Sequence, residues 1–114
     1  MDALEMTLLF DYYGDLLTEK QRTCFDLHYN QDLSLGEIAQ ELGVSRQGVY
    51  DNLSRAETLL RNMEEKTGFL RWDEKVRSAA QQIIRAAEML SASKDPEVGE
   101  LARQILAAAK ELEE

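Results

Sequence analysis

Residues 34–53 restrict this chain more than any other stretch, because they spell a helix, a tight turn and a second helix in twenty positions. Ser34 can cap the first helix, and Glu37 three residues later completes a capping box. Leu33 and Ile38 flank that cap as a hydrophobic staple. Gly43 follows the last apolar residue, Leu42, where a left-handed backbone is easiest without a Cβ. Ser45 then caps the second helix, with Val44 and Val49 as a second staple. Two capped helices joined by a glycine turn form the unit that places a helix in the DNA major groove.

The rest of the chain reads as helix too. One Pro, six Gly and no Asn-Gly or Asp-Gly hairpin signal in 114 residues favour an all-α fold. An opening helix carries Leu4, Leu8, Leu9, Tyr12 and Tyr13 and ends at Gly14. Thr18 and Gln21 form a capping box for a helix through Cys24, Phe25, Leu27 and His28. Residues 30–33 are the turn before the motif. The second motif helix meets no breaker before Gly68, and Val49, Leu53, Ala56, Leu60 and Met63 run along it in steps of three and four. A fifth helix from about Arg71 should turn Trp72, Val76, Ala79, Ile83, Ala87 and Leu90 inward. After a loop at 91–95, Asp95 caps and Pro96 takes the first position of a sixth helix. Its inward set should be Val98, Leu101, Ile105, Ala108 and Leu112. The expected organisation is a helix-turn-helix domain with an extended recognition helix over residues 1–67 and a C-terminal helical pair over 68–114.

Three consecutive apolar seams exceed what a short helical pair can hide within itself. Small residues such as Ala79, Ala80, Ala86, Ala87, Ala107, Ala108 and Ala109 permit close helix approach. A homodimer is therefore expected. Its candidate interface residues are Leu53, Leu60, Met63, Ile83 and Ile105.

Two stretches, Leu17-Thr-Glu-Lys-Gln-Arg22 and Leu35-Gly-Glu-Ile-Ala-Gln-Glu-Leu-Gly-Val-Ser-Arg-Gln47, together resemble region 4 of bacterial sigma factors. With residues 9–21 ahead and 44–53 inside, residues 4–72 look like the YlxM family of small helix-turn-helix-like proteins. The tail shares only its helical character. The resemblance implies a cytoplasmic, all-α regulatory or interaction protein tied to the signal recognition particle pathway. A particle protein or RNA is then the implied partner.

A sequence-specific DNA regulator acting as a dimer is the competing reading. Its contacts would come from Ser45, Arg46, Gln47, Tyr50, Ser54 and Arg55. Arg46 and Gln47 can in principle contact guanine and adenine bidentately, and Tyr50 can stack or touch a phosphate. Charge opposes it. The chain holds 22 acids against 13 bases, net −9, and residues 18–62 hold only five bases against seven acids. DNA affinity rests largely on Lys and Arg neutralising phosphates. Sigma-type recognition helices are arginine-rich on their exposed face, whereas here Gly48 falls where a long base often sits and Asp51 would repel phosphates. Only weak DNA binding is expected. Asn52 stands where an apolar residue is usual, and it needs a partner because an unpaired buried amide costs ~1–3 kcal/mol.

Other chemistry finds little support. Cys24 and His28 share a helical face, but no other Cys or His exists to complete a metal site. They are expected as a buried thiol and a boundary histidine. Tyr12, Tyr13, Tyr29, Phe69 and Trp72 are read as core and interface packing rather than a ligand cage. No nucleophile triad, phosphate loop or carboxylate pair is present, so neither enzyme activity nor a cofactor is expected. No apolar run approaches the ~20 residues that span a bilayer. The opening residues Asp2 and Glu5 lack the basic start of a secretory signal, and a lone cysteine fits the cytoplasm.

Overall fold

The computed structural model describes residues 3–113, and every regular element among them is helical. The helices are α1 (Ala3–Tyr13), α2 (Glu19–Phe25), α3 (Leu35–Leu42), α4 (Arg46–Thr67), α5 (Phe69–Ser91) and α6 (Pro96–Glu111). A 3₁₀ turn, Gly14–Leu16, follows α1, and a π-helical turn, Asp26–Asn30, follows α2. The chain forms two compact units that divide after Leu70.

Local chemistry fixes the boundaries. Thr18 Oγ1 accepts from Gln21 N–H while the Gln21 side chain accepts from Thr18 N–H. Ser34 and Glu37 make the same reciprocal pair. Each box satisfies donors that a helix start leaves without intrahelical partners. Ser45 caps α4 by accepting from Gly48 N–H at 3.0 Å, and Asp95 caps α6 ahead of Pro96. Gly43 and Gly68 close α3 and α4 at φ +68° and +63°, a region costly for any residue with a Cβ.

The first unit is built on α4. Val49, Leu53, Ala56 and Leu60 form its buried seam, against which Met6, Leu9 and Tyr13 of α1, Cys24 and Phe25 of α2, and Ile38 and Ala39 of α3 pack. Phe10, Phe25 and Tyr29 stack in sequence, with centroids 4.7 and 4.4 Å apart. On α1 the buried face is Met6, Leu9 and Tyr13, whereas Leu4 and Tyr12 are exposed. This corrects the face expected from leucine spacing. Leu53 and Leu60 require a second correction. Both are buried in this unit's own core, so the interface role expected for them has no surface to act through. Met63 packs half-buried against the same core.

One polar knot closes the end of α4. Glu64 is almost fully buried, and its Oε1 accepts from Tyr13 O–H and Leu70 N–H, both at 2.9 Å. Thr67 Oγ1 lies 2.5 Å from the same phenol. A buried carboxylate is tolerable only when hydrogen bonds replace its water shell.

The second unit holds α5 from Arg71 onward and α6. Its buried residues are Ala80, Ile84 and Ala87 on α5 and Gly99, Ala102 and Ala109 on α6. Gln81 donates to Glu113, which returns the chain end alongside α5 as in an antiparallel pair. Trp72, Ala79, Ile83, Leu90, Leu101, Ile105, Ala108 and Leu112 were expected inward and are exposed instead. The faces are rotated, and the helices meet through Ala80, Ala87, Gly99, Ala102 and Ala109 with Ile84, while Ala79, Ala86, Ala107 and Ala108 stay exposed.

Candidate functional site

The helix-turn-helix presents α4 from its capped N-terminus, and each candidate contact residue has a defined place. Ser45 is exposed, but its hydroxyl is engaged with Gly48 N–H. Gln47 Nε2 donates to Asp51 Oδ1 at 3.1 Å, an i,i+4 pair on the exposed face. Arg46 lies over the first turn of α3. A Cβ built on Gly36 would come within 3.2 Å of the Arg46 Nε and Nη2 atoms, so the missing side chain at Gly36 makes room for the guanidinium. Tyr50 is 55% exposed and Arg55 is exposed, while Ser54 is half-buried. The face therefore brings together two guanidinium groups, one phenol and one carboxylate.

Asn52 has its partner within its own helix. Its Nδ2 donates to the Gly48 carbonyl at 2.9 Å, and Leu53 takes the core position beside it. This side-chain return to the i−4 carbonyl is a common fate of polar residues inside helices. Gly48 and Asn52 leave room beside α2, where a cavity of about 330 Å³ is lined by Cys24, Leu42, Val44 and the stem of Lys20. The Cys24 thiol is buried, and burial pushes its pKa up against the opposing pull of Lys20. Such a thiol is a poor nucleophile, since the thiolate is the reactive form. His28 is half-buried, with Nδ1 2.9 Å from the Leu33 carbonyl. Among the described residues no group of three His, Cys, Asp or Glu side chains is placed to hold a metal ion. No helix among them is long and apolar enough to cross a membrane.

Two features of this region carried no clear sequence signal. Tyr29, on the π-helical turn, donates its phenol to Glu57 in the middle of α4. Burial first, and the neighbouring Glu57 carboxylate second, push the Tyr29 pKa up to about 12. At the far end of α4, burial raises the Tyr13 pKa. Glu64 adds to the rise and the Thr67 hydroxyl opposes it. Both ties consume carboxylates of α4, so Glu57 and Glu64 do not project to solvent as free acids.

Six α-helices among the described residues, two of them joined by a glycine turn with capped starts, define an all-α helix-turn-helix protein. Residues 1–98 match the family model described as "UPF0122: Putative helix-turn-helix protein, YlxM / p13 like". The chain belongs to this UPF0122 family. A UPF0122 protein of Thermoanaerobacter sp. (strain X514) is 44% identical over 114 residues, covering 99% of this chain and 95% of the relative. The UPF0122 protein of Halalkalibacterium halodurans is 48% identical over 93 residues, covering 82% and 85%. A third, from Caldanaerobacter subterraneus subsp. tengcongensis, is 57% identical over 70 residues, covering 61% and 60%.

Proposed function

We propose that this protein is a cytoplasmic interaction or regulatory factor of the bacterial signal recognition particle pathway, with the helix-turn-helix serving as a scaffold for protein contact. The observation that carries the reading is the state of the α4 face. Gln47 is spent on Asp51, Ser45 on its own cap, and Arg46 rests on α3. Arg46 and Arg55 are opposed there by Asp51, in a chain of net charge −9. A phosphate-binding face needs a surplus of cations, and this one holds nearly none. The particle is named on what the YlxM resemblance implies, since the family description itself gives only a helix-turn-helix protein, YlxM / p13 like. An acidic factor suits a particle protein that is basic because it binds RNA.

The test is affinity capture from a bacterial lysate, with and without nuclease, followed by gel-shift titration at two salt concentrations. A particle protein retained after nuclease supports the proposal. Random duplex DNA should bind weakly, and two or three phosphate contacts would each give a slope of ~0.9 in log affinity against log salt. Nanomolar DNA binding with a slope of six or more would refute it. Tyr50 and Arg55 keep a DNA-regulator reading in play, because both project from the same stretch of α4. In that case Arg46→Ala and Tyr50→Ala should weaken DNA binding while leaving helical content unchanged.

A further inference from the structure

The geometry points to a second copy of this chain as the occupant of the exposed apolar face of the α5–α6 pair, so that two pairs close a four-helix bundle. Most of the large apolar residues of this unit are exposed, Ile84 being the buried exception. Trp72, Ile83 and Leu90 are 66%, 41% and 48% exposed on α5, and Leu101, Ile105 and Leu112 are 53%, 43% and 51% exposed on α6. The buried positions are mostly alanine and glycine.

Helix geometry places the two stripes together. At about 100° per residue, the exposed stripe of α5 lies roughly 80° behind its buried stripe, and that of α6 roughly 90° behind its own. Antiparallel helices wind in opposite senses when viewed from one end. Equal offsets therefore bring both stripes to the same side of a pair closed through its small-residue faces. One face of the pair is thus continuous and apolar. Contiguous apolar patches beyond a few hundred Å² are rare on monomers. Six large side chains about half exposed reach that size, and two such faces together reach the order of 1,000 Å² at which a specific interface begins.

The charges beside the stripes select a second copy over an unrelated partner. The outer edge of the α5 stripe carries Lys75, whereas that of α6 carries Glu97 and Glu111. A two-fold axis along the bundle sets α5 against the partner's α6 in antiparallel fashion, with the basic edge beside the acidic one. This arrangement is isologous and closed, and its packing is that of a four-helix bundle.

Light scattering on the full chain reads the assembly directly. The native protein should show twice 13.0 kDa at micromolar concentration. A mass of 13.0 kDa throughout that range overturns the inference and leaves the face to another protein. Leu101→Glu with Ile105→Glu should return the monomer mass with the helical signal retained. Should the charged variant lose structure, Leu101→Ala with Ile105→Ala keeps helix propensity and should weaken dimerisation at least tenfold. A dimer indifferent to the alanine variant is built on another surface, which also overturns the inference. Lys75→Glu should weaken the dimer, and Glu111→Lys in the same chain should restore it.

Discussion

Tyr13→Phe isolates the buried carboxylate at the end of α4. The substitution keeps the ring that packs in the core and removes only the hydroxyl. Glu64 then loses the 2.9 Å bond from Tyr13 and keeps the one from Leu70 N–H. A hydrogen bond to a charged group contributes about 1.5–3 kcal/mol to stability. The expected loss is of that size, equivalent to a fall in Tm of about 5–15 °C for a chain this short. Glu64→Leu should cost at least as much, because it leaves Leu70 N–H without its acceptor. The two changes share one interaction, so the double variant should be less destabilised than the sum by about 1–2 kcal/mol. Urea unfolding followed by helical circular dichroism supplies all four corners of the cycle. A Tyr13→Phe protein within about 0.5 kcal/mol of the parent, or strict additivity in the double variant, would refute the role assigned to this knot.

Three further expectations follow from single positions. Leu60→Ala, at a fully buried site on α4, should cost about 2–5 kcal/mol in urea unfolding, and a loss below 1 kcal/mol would place that residue outside the core. Gly43→Ala should cost about 1–2 kcal/mol because φ is +68° there, and no change would mean that the turn tolerates a Cβ. The raised Tyr29 pKa favours the neutral phenol in the folded state. Its contribution to stability is whole below the ordinary value of 10.0 and is lost as pH rises towards about 12. Tyr29→Phe should flatten the fall of stability across that window, and an unchanged slope in alkaline urea titrations would sink the assignment.

The helix boundaries were legible because their causes are local. Thr18 with Gln21, Ser34 with Glu37, Ser45, and Asp95 with Pro96 each act within a few residues, and Gly43 and Gly68 act through their own φ angles. The inward faces of α5 and α6 were not legible in the same way. Apolar spacing ranks large side chains first, but helices that approach closely select alanine and glycine at the contact. Two stripes lying side by side on one helix then compete for the same assignment. At the candidate site, the sequence placed Arg46, Gln47 and Tyr50 at the start of α4, yet their engagements are tertiary or pairwise. The Gln47–Asp51 bond was within reach as an i,i+4 pair. The seat of Arg46 depends on Gly36 in another helix, and no spacing rule announces it. Glu64 continues the α4 seam four residues after Leu60, but a carboxylate at a seam position reads as solvent-facing until its donors are seen.

The packing of α1, α2 and α3 on α4 bears on how the protein is made. The ribosome releases the chain from its N-terminus, so the first three helices emerge before the element that completes their core. Tyr13 meets Glu64 and Thr67 across more than fifty residues, and Tyr29 waits for Glu57. Until about residue 67 has cleared the exit tunnel, Met6, Leu9, Phe25 and Ile38 have no α4 seam to bury against. The core of the first unit therefore cannot close until α4 is available, because every buried face of α1, α2 and α3 has its partner on that helix.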